Sequence, residues 1–375
     1  MRGLQATISR LTALRRGVAH GAEGDGRLRE LAAFAPNPGH LRALVYRPSG
    51  LEPDAALVVV LHGCTQTAGG YDRGSGWSEL ADRHGFMLLY PEQSRANNPN
   101  LCFNWYAPSD ARRGKGEARS IRAMIASLAE THAIDPARVF VTGLSAGGAM
   151  TAVMLATYPE VFAGGAIIAG LPFATANSVP EALDRMRGHG VPPIEHSAAL
   201  VAKASDHRGP WPTLSVWHGT SDATVNPTNA DAIVDQWRAL HGVGAGRGEM
   251  ATVDGHRREA WRNAEGREVI EKFTIRNMGH GTPLAPAGED SCGEAGPYML
   301  DAAICSTRHI ARFWGIAGPR RTASAPARGA SSAAGAVPLP IRKAEPRLAA
   351  PPVAANESAI GSIIEDALRA AGLMR

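Results

Sequence analysis

A serine hydroxyl is a weak nucleophile at neutral pH and becomes effective only beside an imidazole that a carboxylate holds in place. The sequence supplies those three residue types in order, each just after a run that reads as a buried strand. Ser145 stands in "VFVTGLSAGGAM", where Val139–Val141 lead into Gly143 and an Ala- and Met-rich helical segment follows. Asp222 follows the apolar run of "TLSVWHGTSDATVNP", and His280 ends "VIEKFTIRNMGH" between two glycines. The chemistry such a set performs is acyl transfer: Ser145 attacks a carbonyl, His280 takes its proton and Asp222 fixes the imidazole tautomer.

G-x-S-x-G alone is a weak signal in a chain with 42 glycines. Its strength comes from the strand–turn–helix setting, which is what a nucleophile elbow requires. There the Ala146 N–H, at the start of a helix, faces the position where an oxyanion would develop. The simpler alternative is a serine capping a helix in a Gly-rich turn. A second donor is expected from "VVVLHGCTQTAGGYD", where Gly63 lets the backbone turn and nominates the Cys64 amide; a plain tight turn is the alternative. Two other histidines compete for the role of base. His218 closes the acid-bearing strand and reads as structural, whereas His309 lies inside the helical run "AAICSTRHIARFWG". Asp231 and Asp235 fall on a helical pattern and are expected to face solvent.

Positioning these residues needs a sheet whose strand ends share one rim. "LRALVYRP" alternates like an outer strand, and "ALVVVLHG" is continuously apolar, as expected of a central strand covered on both faces. "FMLLYP", "RVFVTG", "GAIIAG", "TLSVWHG" and "VIEKFTI" continue the series. Helical patterns lie between them, such as Gly116–Ala133 with Ile121, Met124, Ile125 and Leu128 on one face. The alternation predicts an α/β fold with a mostly parallel central sheet and helices on both faces.

The net charge is +4, and residues 317–375 account for it with eight Lys/Arg against four Asp/Glu. A neutral body argues against a nucleic-acid enzyme. No apolar run approaches a membrane span, and the N-terminus has no continuous h-region, so no signal peptide is expected. Leu4, Ile8, Leu11 and Leu14 recur at helical spacing in residues 1–35, consistent with a short helix packed on the body or a membrane-surface or targeting helix. Residues 36–316 read as the catalytic domain. Residues 317–355 are rich in Ala and Pro and read as a linker. Residues 356–375 regain helical periodicity through Ile360, Ile363, Ile364 and Leu368; that helix could contact its own body, a partner, or a granule of insoluble substrate. The four cysteines show no zinc-like spacing, and composition does not choose between two disulfides and four thiols.

With "LHGCTQTAGGYD", "NNPNLCFNWY", "GLSAGGAM", "SVWHGTSDATVNP" and "NMGHGTP" in order, the chain resembles the poly(3-hydroxybutyrate) depolymerase family of esterases. That family belongs to the α/β-hydrolases, beside feruloyl and acetylxylan esterases. The resemblance runs from about Leu41 to Gly315. It implies Ser145 as nucleophile, Asp222 as acid, His280 as base, and the Cys64 and Ala146 amides as oxyanion hole. It also implies Trp105 and, less directly, Asn104 as substrate contacts, although Trp105 could instead fill a second apolar layer. Disulfides Cys64–Cys102 and Cys292–Cys305 follow from the same resemblance. The substrate implied is a poly- or oligo-(R)-3-hydroxyalkanoate, with a feruloyl or acetylxylan ester as the alternative and a non-catalytic binding protein as the rival of another class. Neither metal nor organic cofactor is expected. The resemblance implies an extracellular enzyme; the unrecognised signal peptide leaves the cytoplasm as the alternative.

Overall fold

The structure, a computed structural model, describes residues 26–318 except 32, 245, 289 and 290. The N-terminal helical pattern, the Ala/Pro-rich linker and the C-terminal helical pattern lie outside the described residues.

Ten strands form one sheet. In chain order they are β1 (Arg29–Glu30), β2 (Arg42–Tyr46), β3 (Ala55–Leu61), β4 (Met87–Glu92), β5 (Ile134–Leu144), β6 (Gly164–Ile168), β7 (Thr213–Gly219), β8 (Glu249–Val253), β9 (His256–Arg262) and β10 (Glu268–Ile275). The spatial order is β1-β2-β4-β3-β5-β6-β7-β10-β9-β8. From β4 to β10 every neighbouring pair is parallel, and the antiparallel strands are confined to the two margins. All seven expected strands are present. The sheet begins upstream of residue 36, because β1 pairs with β2.

β3 is buried along its whole length, as its unbroken apolar sequence requires. Leu57, Val59 and Leu61 enter the core on one face; Ala56, Val58 and Val60 enter the core on the other. Helices α1 (Ala68–Ser75) and α2 (Trp77–His84) supply Tyr71, Trp77 and Leu80 to the second core. Helices α3 (Gly116–Thr131) and α4 (Ala146–Thr157) supply Ile121, Met124, Met150 and Val153 to the first. The chain continues through α5 (Val179–Met186), α6 (Ile194–Ala202), α7 (Thr228–Arg238) and α8 (Ser306–Phe313). A separate two-stranded parallel pair, β11 (Thr282–Leu284) with β12 (Met299–Asp301), starts two residues after His280.

Two disulfides close loops, Cys64–Cys102 and Cys292–Cys305. No helix among the described residues is long and apolar enough to cross a membrane.

Candidate active site

Ser145 sits between the end of β5 and the start of α4 with φ 56° and ψ −117°. An L-residue in that region is strained, which is the conformation a sharp strand-to-helix turn imposes. The Ser145 N–H donates to Ile168 O at 2.9 Å, so the strain is held by β6. Ser145 makes no side-chain cap bond, which removes the helix-capping alternative. Gly147 explains the bare neighbours: a Cβ there would strike the Leu61 carbonyl and come within 2.5 Å of the His62 oxygen. Without one, the first turn of α4 packs directly on the end of β3. That contact sets Gly147, the neighbour of Ala146, against Leu61 and against His62, two residues before Cys64. Neither the Ala146 nor the Cys64 N–H is engaged by a protein acceptor among the described residues.

The loop carrying Cys64 is fixed from several sides. Gly63 N–H donates to Gln66 Oε1 at 2.8 Å, and Thr65 N–H, at φ 63°, donates to Asn100 O at 2.7 Å. His62 is fully buried; its Nδ1–H donates to Gly63 O at 2.7 Å while Nε2 accepts Gln93 N–H at 3.2 Å. Burial pushes the His62 imidazole below its ordinary value, against the Gly63 carbonyl.

Asp222 and His280 are brought together at the ends of neighbouring parallel strands, β7 and β10. A Cβ on Gly219 would clash with the Met278 carbonyl, so the two loops touch, and Ser221 N–H donates to Met278 O at 3.0 Å. His280 Nδ1 lies 2.7 Å from Asp222 Oδ2. With that N–H donated, Nε2 carries the lone pair, as a general base requires. Asp222 Oδ1 accepts N–H bonds from Thr224 (2.9 Å) and Val225 (2.8 Å). Burial alone would raise the Asp222 carboxyl, but hydrogen bonds from His218 and His280 outweigh it and hold the group well below the usual range. No hydrogen bond joins Ser145 Oγ to His280 among the described residues. In a site without substrate such bonds are commonly long, and they tighten in the reacting complex.

His309, Asp231 and Asp235 are placed elsewhere. His309 Nε2 meets Asp254 at 2.9 Å and packs against the rings of Trp217 and Phe273. Asp231 is exposed on α7 and pairs with Lys272, and Asp235 pairs with Arg238. His218 is structural in an unanticipated way: its Nε2–H donates to Val225 O at 2.8 Å and lies 3.3 Å from Asp222 Oδ2.

Asn104 has its side-chain amide occupied. Nδ2 donates to Glu117 Oε1 at 2.8 Å and Oδ1 accepts from Asn98 at 2.9 Å, so it anchors its loop internally. Glu117, fully buried in the first turn of α3, also accepts Asn104 N–H (2.9 Å), Gln93 Nε2 (2.7 Å) and Asn97 Nδ2 (3.2 Å). Gln93 Nε2 reaches Cys102 O as well, at 3.0 Å. This hub therefore couples the Cys64 loop, through His62 and Gln93, to the Cys102–Trp105 loop. Burial pushes the Glu117 carboxyl up to about 8 against the donors around it. Nothing in the sequence marks Glu117, because an acidic residue in a first helical turn ordinarily serves the dipole. Trp105 is 8% exposed; it belongs to the apolar core and also borders a cleft. Among the described residues no group of three or more His, Cys, Asp or Glu is placed to hold a metal ion.

Residues 41–261 match the family described as Esterase PHB depolymerase. The chain belongs to this esterase family. As a PHB depolymerase-family esterase it is 46% identical over 294 residues to poly(3-hydroxyalkanoate) depolymerase C of Paucimonas lemoignei, covering 78% of this chain and 70% of that protein. It is 31% identical over 264 residues to the acetylxylan esterase of Coprinopsis cinerea, covering 69% of this chain and 70% of that protein. The solved acetyl xylan esterase of Aspergillus awamori superposes with a TM-score of 0.64 at 24% identity, over 77% of this chain and 99% of that one. That likeness supports the α/β-hydrolase fold.

Proposed function

We propose that this esterase hydrolyses the ester bonds of poly- or oligo-(3-hydroxyalkanoate) through a Ser145–His280–Asp222 triad. The observation that carries the mechanism is the 2.7 Å bond from His280 Nδ1 to Asp222, made at the same sheet rim as the strained Ser145. His280 Nε2 takes the Ser145 proton as Oγ attacks the ester carbonyl, and Asp222 stabilises the imidazolium that forms. The tetrahedral oxyanion is held by the Cys64 and Ala146 amides, each contributing roughly 3–4 kcal/mol to transition-state binding. His280 then protonates the departing alcohol, and water repeats the sequence on the acyl-enzyme to release the acid.

The substrate class rests on the 46% identity to a poly(3-hydroxyalkanoate) depolymerase. Two disulfides fit an oxidising compartment and support action outside the cytosol. A second reading, an acetylxylan- or feruloyl-type carbohydrate esterase, is favoured by the identity to the Coprinopsis enzyme. Parallel assays on 3-hydroxybutyrate oligomers, acetylated xylan and methyl ferulate test the choice. The proposal expects the oligomers to give the highest kcat/KM; preferential release of acetate from xylan, or of ferulate, would replace it with the second reading.

A further inference from the structure

The Trp105 loop borders a cleft of about 410 Å³. Trp105, Phe173 and Leu200 form apolar walls, while Arg112, Arg113 and Lys203 are its charged lining. Among the described residues no carboxylate lines it. That gathers three cations in one place on a body of zero net charge, since residues 317–375 carry the whole net +4. Arg113 is committed internally: it donates to Thr157 O at 2.5 Å and pairs with Glu160 at 2.7 Å. Arg112 and Lys203 are exposed and have no ion-pair partner among the described residues.

Both walls start from segments next to the proposed catalytic centre, and the cleft extends beside α4 as far as Thr157, the last residue of that helix. Trp105 follows Cys102 by three residues, a span of at most about 11 Å, and the Cys102 Cα is 4.2 Å from that of Cys64. Phe173 follows Gly170, where a Cβ would touch the backbone of Gly148 and Ala149 in the first turns of α4. Phe173 is itself fixed, its N–H donating to Gln236 Oε1 at 2.9 Å and its carbonyl accepting Gln236 Nε2 at 3.0 Å. Walls with an apolar surface and an unpaired guanidinium and ammonium suit a short aliphatic chain that ends in a carboxylate.

Resting on the esterase reading above, we infer that this cleft binds the free carboxylate end of an oligo(hydroxyalkanoate), with Arg112 and Lys203 as the anion-recognising pair. In a linear hydroxyacid oligomer the free acid always lies on the alkoxy side of each ester. The cleft would therefore hold the leaving hydroxyacid portion, which His280 protonates as the C–O bond breaks. This favours soluble acid-ended oligomers over uncharged esters of the same length.

The test compares kcat/KM on the 3-hydroxybutyrate trimer as free acid and as its methyl ester, for the full chain and for the double variant Arg112→Glu/Lys203→Glu. The wild type is expected to prefer the free acid by about tenfold or more, the size of a charge-assisted pair, and the variant to lose or invert that preference. A ratio of substrates within one protein is insensitive to the fraction folded, and Arg112→Gln/Lys203→Gln should give an intermediate ratio. Equal rates on acid and methyl ester in the wild type, or an undiminished preference in the charge-reversed variant, would overturn the inference. Wild-type turnover of p-nitrophenyl butyrate is measured alongside. Turnover there without acid preference defeats only this inference, whereas no ester turnover at all takes the esterase reading with it.

Discussion

His218 and His280 converge on one carboxylate oxygen: Asp222 Oδ2 is 2.7 Å from His280 Nδ1 and 3.3 Å from His218 Nε2. His218 Nε2–H is shared between the Val225 carbonyl and this oxygen, and so helps to fix the acid's orientation. Replacing His218 by Phe keeps the ring and removes the donor. His218→Phe is expected to lower kcat by roughly 10-fold or more with little change in KM, as the loss of a bond to a charged acceptor costs about 1.5–3 kcal/mol. His218→Gln, which can return a donor, should recover part of it. Steady-state kinetics with unchanged kcat in the Phe variant would show that His218 has no bearing on the acid.

Asp222 also links stability to pH. Its folded-state carboxyl is held below its unfolded value, so the folded protein releases its proton more readily. The stabilisation is complete above the ordinary carboxylate range and is lost as pH falls through the folded value. Asp222→Asn should therefore lose less stability than the wild type between pH 5 and pH 3, measured by urea unfolding, while kcat falls by up to about 10⁴-fold. Parallel pH–stability curves would contradict this account of the acid.

Glu117 has the opposite sign. Its folded carboxyl is raised from 4.5 to about 8, so the folded state binds the proton more tightly than the unfolded chain. Stability is then greatest below the unfolded value and declines as pH rises toward 8. Glu117→Gln cannot titrate and leaves an amide among N–H donors, so it should be less stable at pH 5 yet lack the decline between pH 5 and 8. Thermal melts across that range decide the matter; an identical decline in the variant would assign the titration to another group.

The Cys64–Cys102 bridge joins residues 38 apart in sequence. Loop-closure entropy alone gives about 4 kcal/mol for a loop of that size. Cys64→Ser/Cys102→Ser should melt lower and also lose kcat, because the loops bearing the proposed Cys64 donor and Trp105 then rely on hydrogen bonds and the packing of His62 against Phe103. Full kcat below the melting transition would mean that His62, Gln93 and Glu117 suffice to hold the oxyanion loop.

Much of this site is legible in the sequence because each residue ends a run that only a buried strand would tolerate. Val139–Val141 into Gly143 fixes Ser145 at a corner, and the apolar run of β7 and the mixed, largely buried strand β10 deliver Asp222 and His280 to the same edge. The Glu117 hub is not legible. Its partners come from residues 93, 97 and 104, and no spacing rule joins them to a first-turn glutamate. The contact of His218 with Asp222 depends on the turn of the loop between them. The β8–β9 hairpin was equally hidden: Asp254-Gly255 is a turn signal, but β8 is mostly exposed and shows no apolar alternation to flag it. The segments before residue 26 and after 318 lie outside the described residues, so the expectations placed on them rest on composition and periodicity.

The most direct measurement of the central claim is hydrolysis of p-nitrophenyl butyrate by the wild type and Ser145→Ala, with a fluorophosphonate label located by peptide mass spectrometry. The account predicts that the wild type turns over and carries the label on Ser145, and that Ser145→Ala melts normally but loses kcat by about 10⁶-fold and stays unlabelled. Undiminished hydrolysis by Ser145→Ala, or label on another residue, would contradict it.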